Sequence, residues 1–327
     1  MATGKYGGQS VFFLVDGYNL IANKLKALRY KQESILERTD GFGDSWEEHT
    51  PTGLSKIELA QEGAFFDTDT NRIHTAMSAS VPTSPQAAVR IICLGFAGAT
   101  VGEMFVGLQG AFSMAYDVLA QLGALTKANV QYAITGQINR GTILQPLATK
   151  TADWNTKTLG TTVDYRLDSS QKVTPITANS LANPTVVTTA VAHGLTTGDL
   201  VFFSGSNSTP VIDGSRAVTV ISTTTFSVPV NVTVAGTAGT YVRDDSTAGG
   251  VGYQQVSAFS GFSGFIGRIQ DSLDDVTYAT VVTFVDVTSA PNAQRVTAAG
   301  QIDRYLSYDG NVTGTGSITA FSGFSRS

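Results

Sequence analysis

Between Val11 and Asp67 the residues alternate in the way a half-buried sheet requires. An apolar run, VFFLV, meets a tight Asp16-Gly17 turn. A second, alternating run with many charges, LKALRYKQESILER, enters the glycine-rich acidic loop Asp40-Gly41-Phe42-Gly43-Asp44. A third alternating run ends on the adjacent aromatics Phe65 and Phe66. Side chains of a strand point to opposite faces in turn, so each run fits a strand with one covered face. The stretch has no nucleophile–base pair and no ligand cluster. It is suited to placing loops around a sheet, which points to an assembly part rather than an enzyme.

Composition agrees. Charged residues make up 14% of the 327 and glycine contributes 34, whereas soluble domains carry roughly 25% charge. This is the profile of an all-β protein with many tight turns and a surface that is neutral or covered by partners. The net charge is −5, and no Lys/Arg cluster offers a nucleic-acid footprint. The single cysteine, Cys93, excludes an intrachain disulfide. It lies in the apolar run Val89–Phe96, where a buried, inert thiol is expected. Met1–Gln9 is polar and Gly-rich, without the apolar core of a signal peptide. No stretch approaches the ~20 apolar residues of a membrane span. The expected product is soluble and made in a cytoplasm.

Charge usage divides the chain. Every Lys lies at or before Lys172 and every Glu at or before Glu103. From Pro175 to Val242 the only charged residues are Asp199, Asp213 and Arg216. Small polar stretches at Leu167–Gln171 and Arg243–Gly250 have the composition of linkers. They resemble each other, as if a module had been inserted into one linker. The expected modules are 1–172, an inserted 173–244 and a C-terminal 245–327. The pentapeptide FSGFS at Phe259–Ser263 recurs at Phe321–Ser325, which predicts two strands side by side in one sandwich.

The predicted fold class is mainly β with one short helix, over Arg72–Ser78 after cap groups at Thr68–Asn71. Met104–Tyr116 reads as a long strand, with Met104, Val106, Leu108, Phe112, Met114 and Tyr116 on one face and Gly110 in register. A turn near Gly123 and a strand Ala128–Ile138 follow. In the second module, strands are expected at Thr185–Val191, Asp199–Ser204, Arg216–Ser222 and Thr225–Val230. In the third they are expected near Val251–Phe259, Gly264–Gln270, Tyr278–Val285, Gln294–Thr297, Arg304–Tyr308 and Gly316–Phe324.

Catalytic and metal chemistry find little support. His49, His74 and His193 lack zinc spacing. His193, before Gly194-Leu195, suits a structural hydrogen bond at a turn. Asp271–Asp275 lacks the ligand spacing of a calcium loop and reads as a solvated turn. No nucleophile elbow with ordered partners is present. Asp40, Asp44, Glu47 and Glu48 sit close together, but Gly41 and Gly43 do not hold carboxylates in fixed geometry. No cofactor and no catalytic or metal residue is expected.

The motifs Asp16-Gly17-Tyr18-Asn19-Leu20, Thr39–Asp44, Pro51-Thr52-Gly53-Leu54 and Gly63–Asp67 resemble those of the major tail tube proteins of long, non-contractile-tailed bacteriophages. The resemblance covers roughly 8–165. His193–Val201, Val211–Val218 and Thr225–Val228 resemble a small β-barrel module common in phage virion proteins, and Val251–Phe324 resembles a jelly-roll-like β-sandwich appended to some phage tail proteins. The resemblance implies a structural virion protein that stacks hexameric rings into a tail tube, the conduit for DNA ejection. It implies a tape measure protein inside, tail terminator and tail-tip proteins at the ends, and DNA passing without specific binding. Met104–Tyr116 and Leu25–Glu37 become candidates for the lumen wall or its backing sheet. The loop of Asp40, Gly41, Phe42, Gly43, Asp44, Trp46, Glu47 and Glu48 becomes a candidate inter-ring contact, and the two later modules become external decoration. The alternative is a tail-tip or head-decoration protein that binds host-surface carbohydrate, with Tyr241, Tyr253, Tyr278, Tyr305 and Tyr308 as the available aromatics.

Overall fold

The computed structural model describes residues 11–23, 25–38, 49–66, 74, 77, 89–96, 98–136, 138–164, 174–243, 247–273 and 275–326. The described chain is mainly strand, as predicted. The first ten strands are β1 (Phe12–Val15), β2 (Tyr18–Asn19), β3 (Ala27–Arg38), β4 (His49–Phe65), β5 (Arg90–Gly95), β6 (Met104–Leu119), β7 (Lys127–Ile134), β8 (Ile138–Lys150), β9 (Trp154–Asn155) and β10 (Val163–Asp164). A second group comprises β11 (Thr174–Asn179), β12 (Thr185–Thr189), β13 (Leu200–Ser204), β14 (Gly214–Ala217), β15 (Thr219–Val220), β16 (Thr225–Val228) and β17 (Thr240–Arg243). The last four are β18 (Thr247–Ser272), β19 (Ala279–Thr283), β20 (Asn292–Ile302) and β21 (Tyr305–Arg326). Of the predicted helix only His74 and Met77 are described, and both are helical.

The expectation of a separate C-terminal sandwich is corrected by the topology. β18 and β21 belong to the same 14-stranded sheet as the first ten strands, in the order β19-β18-β21-β8-β6-β5-β1-β2. β18–β21, the described strands of 245–327, therefore do not form a sheet of their own. Their low charge has another cause: Val251–Val256 and Ala320–Ser325 are buried at every position, so both faces of these strands are covered. The FSGFS echo does mark adjacent strands. β18 and β21 pair antiparallel along most of their length, although the two pentapeptides are offset, with Phe321 opposite Gln255.

Four of the six strands predicted over 251–324 are two, β18 taking in Val251–Phe259 and Gly264–Gln270 and β21 taking in Arg304–Tyr308 and Gly316–Phe324. Gly261 and Gly314 have φ of +81° and +95°, and the pairing of β18 with β21 slips at Ser260/Phe262 and Phe262/Gly264. The glycines are bulges that bend long strands, not turns that end short ones.

The sheet curls until β2 returns beside β18. The cavity so enclosed is filled by Phe12, Leu14, Cys93, Phe105, Ile143, Val251, Tyr253 and Phe321. Phe105 packs edge-on against Tyr253 and Phe321, with centroids 5.6 and 5.8 Å away. The seam is closed by side chains. Val15 pairs with Tyr18 across Asp16-Gly17, and both turn residues have positive φ, +50° and +88°. This is the geometry of a two-residue hairpin whose twist suits the flanking strands. The turn then seats on β18: Gly17 N–H donates to the Gln255 side-chain carbonyl, and Gln255 Nε2 donates to Ile91 O at 3.0 Å. Asp16 accepts from Ile91 N–H at 2.8 Å and from Arg90 at 2.7 Å. Arg90 in turn donates to Ser113 at 3.1 Å. Burial holds the Asp16 carboxyl above its ordinary range, opposed by the Ile91 amide and Arg90.

Cys93 lies inside this barrel, fully buried as the sequence suggested, and burial raises its thiol to about 12. The native protein is expected to give no reaction with a thiol reagent at pH 8, and one equivalent per chain in denaturant. Rapid native labelling would show that the barrel opens.

Residues 174–243 form a second sheet, in the order β14-β13-β17-β11-β12-β16-β15. β14 and β15 are two halves of one bent strand joined by Val218. The first half pairs with β13 and the second with β16, so this sheet closes on itself. Its core is separate and includes Val187, Val201, Phe203, Phe226 and Tyr241.

A candidate assembly surface

The main sheet forks at Gly110. Gly110 is not in register within an evenly alternating strand: its φ is +81°, and the pairing of β5 with β6 shifts there. Thr135 N–H donates to Gly110 O at 3.0 Å, and a Cβ on Gly136 would collide with Gln109 O. Before the bulge Val106 and Leu108 face the core; after it Ala111 and Ser113 do. Met114, expected to share a face with Val106, is 62% exposed for this reason. The first half of β6 pairs with β8 and the second with β7. One branch leads to the barrel. The other is a four-stranded sheet, β6-β7-β4-β3.

The inner face of this branch is apolar. Leu59, Ala64, Ala128, Val130 and Tyr132 join Phe13, Ile92, Leu94 and Met77 in one core. Tyr132 OH and Ser113 Oγ approach Met77 Sδ at 3.5 and 3.9 Å, and His74 Nδ1 meets Tyr116 OH at 2.9 Å. The outer face is polar. Lys31 stands opposite Glu58 and Glu33 opposite Lys56, while Lys31 also pairs with Glu33 and Lys56 with Glu58 along each strand. The four charges form an alternating square, which fixes hairpin register more than it adds stability. The Lys56 ammonium is held above its ordinary range and the Glu58 carboxyl below, each mainly by the hydrogen bond to the other. Arg29, Glu62, Asp117, Lys127, Asn129 and Gln131 also lie on the face, and a groove of about 540 Å³ crosses it.

Both lateral edges of this branch are open among the described strands. β3 pairs only with β4. Beyond Ala111, β6 pairs only with β7. Such edges present rows of unpaired backbone groups, a template for another chain. The turn between β6 and β7 projects Leu122, fully exposed, with Leu119 and Leu125 beside it. These three side chains are apolar surface that a partner could cover.

Of the two lumen candidates, Leu25–Glu37 falls on β3, whereas only the second half of Met104–Tyr116 reaches the exposed sheet. Phe105–Leu108 is buried, Phe105 inside the barrel and Val106 and Leu108 in the core beneath this branch. The predicted contact loop Asp40–Glu48 lies outside the described residues, but the strands it joins are paired up to Arg38 opposite His49. Asp271, read as part of a solvated turn, is instead buried; it accepts the Asp303 N–H at 2.7 Å, and burial raises its carboxyl. His193 does hold a turn, accepting Leu195 N–H at 3.0 Å on Nδ1 while Nε2 lies 2.7 Å from Ser222 O. Of the five tyrosines available as sugar platforms, only Tyr278 and Tyr305 are part-exposed. Tyr241, Tyr253 and Tyr308 are buried. Tyr278 and Tyr305 carry Lys157 and Arg304 over their rings at 5.0 and 4.9 Å. Among the described residues no group of His, Cys, Asp and Glu is placed to hold a metal.

No protein-family model and no curated protein matches the chain. Among solved structures, one similar chain comes from the virion of a native gene transfer agent particle, with 14% identity, covering 42% of this chain and 98% of that one, at a TM-score of 0.32. Another comes from the tail of an empty gene transfer agent particle computed with C6 symmetry, with 11% identity, covering 41% and 97%, at 0.29. A third is the SPP1 Dit protein, described as a paradigm of the hub adsorption apparatus in phages infecting Gram-positive bacteria, with 10% identity, covering 96% and 98%, at 0.28.

Proposed function

We propose that this chain is a structural protein of a phage-type tail whose copies join edge to edge into rings that stack into a tube. The observation that carries the reading is the β6-β7-β4-β3 branch with both lateral edges open. Strands along it alternate in direction, so β3 runs opposite to β6. A second copy placed beside the first continues the sheet in antiparallel pairing, and each subunit offers one edge of each kind. Such heterologous contacts form a ring when the rotation closes.

The outer face then lines the tube. Among the described side chains its charges are Arg29, Lys31, Lys56 and Lys127 against Glu33, Glu58, Glu62 and Asp117, four against four. A wall of this kind does not collect phosphate contacts, each of which would add salt-dependent affinity and hold back a passing DNA. In this reading a tape measure protein fills the lumen, terminator and tip proteins cap the ends, and Asp40–Glu48 meets the next ring. Residues 174–243, with their closed sheet, decorate the outside.

The test is electron microscopy of the purified chain across a concentration series. Rings or tubes with a central channel are the expected result. A chain that remains monomeric at millimolar concentration and low salt rejects the proposal. Deleting Gly41–Glu48 is expected to leave rings but no stacked tubes; long tubes from that variant would remove the loop from the ring-to-ring contact.

A further inference from the structure

We propose that the β6–β7 turn is a latch that inserts its leucines into a groove on the neighbouring copy. The inference rests on the ring reading above and adds a contact to it. Ala27 stands opposite Glu62, Gln61 opposite Val130, and Asn129 opposite Asp117. Ala27 and Asp117 therefore lie on nearly one line across four strands, at opposite edges. A copy that continues the sheet without axial shift sets its Asp117 beside its neighbour's Ala27.

Beyond Asp117 the turn keeps going, while beyond Ala27 the neighbour's β3 has ended. Val118, Leu119, Leu122 and Leu125 extend past the start of that strand. What they meet there is an apolar groove of about 290 Å³ lined by Val11, Ile21, Leu25, Leu28 and Phe96, with Lys26 at the rim. The groove lies on the β3 flank and the leucines on the β6 flank, so every subunit in a ring supplies one of each. Charge agrees at the same level: exposed Asp117 arrives next to exposed Lys26. The leucines are 45% to 108% exposed in the single chain, and burying such side chains in a neighbour supplies a driving force that polar edge pairing lacks.

The test uses the full chain with Leu122→Cys and Ile21→Cys together. Cys93, being buried, does not compete. Oxidation of assembled material is expected to give a ladder of covalent oligomers ending at the ring size, absent from Leu122→Cys alone. Rings or tubes without the ladder overturn the latch and leave the ring reading standing. A chain that never polymerises overturns both. Independently, Asp117→Lys is expected to raise the critical concentration about two- to five-fold, the range of an exposed ion pair, and Lys26→Asp in the same chain is expected to restore it. Failure of the swap to restore assembly rules out the Asp117–Lys26 contact.

Discussion

Replacing Gly17 with alanine is expected to lower stability by about 3–5 kcal/mol, summing a left-handed residue, an overpacked contact and a lost buried hydrogen bond. The position has φ +88°, and a Cβ there would lie 2.5 Å from Asn292 N and 2.6 Å from Val256 O. Those are backbone atoms of a paired position on β18 and β20, so they cannot swing aside as a side chain could. The Asp16-Gly17 turn would have to lift off the barrel seam. Gln255, fully buried, would then lose the Gly17 N–H it accepts. Gly123→Ala is the control. It shares the positive φ, +79°, but has nothing within 4 Å of its would-be Cβ, so only the conformational cost of about 1–2 kcal/mol applies. Urea midpoints at unchanged slope measure both. Equal losses would show that the seam does not depend on the close approach.

The second large effect is on assembly. Along a strand, successive N–H groups point to opposite sides. Of Gln32 and Glu33 on β3, one therefore donates toward β4 and the other toward the open edge. Proline removes one donor and is tolerated where the missing N–H faced solvent. One of Gln32→Pro and Glu33→Pro is expected to destabilise the hairpin. The other is expected to leave the monomer within about 1 kcal/mol of the parent and to stop polymerisation. Circular dichroism melts identify which is which, and sedimentation reads assembly. If the stable variant still forms rings, the β3 edge is not the ring contact.

Period-2 alternation carried much of this fold openly. β3, β4 and the second closed sheet follow from which residues are apolar at every other position, and the FSGFS echo even pointed to the pairing of β18 with β21. Glycine was the ambiguous letter. At Gly17 it sits in a true turn, whereas at Gly110, Gly261 and Gly314 it makes a bulge inside a continuing strand, and one residue of slip exchanges the faces beyond it. That is why Met114 emerged on the solvent side. The seam was illegible for a different reason. Gln255 bonds a residue 238 positions away, and no local pattern separates a buried glutamine from an exposed one. The open edges were equally hidden, since an unpaired edge is defined by a strand that is not there. The poverty of charge after Lys172 had two causes that look alike in composition: a distinct small closed sheet at 174–243, and two strands of the main sheet covered on both faces.

The second sheet begins and ends on neighbouring strands: Thr174 lies opposite Tyr241, and Pro175 opposite Thr240. Its host is arranged to match. Asp164, where the chain leaves, stands opposite Tyr305, and Thr247, where it returns, stands opposite Ile302, three residues away on the same corner. This is the arrangement expected of a splice point. Any folded passenger whose two ends meet can be spliced there without stretching the carrier, and a polymer built from such carriers would display that passenger once per subunit at a regular spacing.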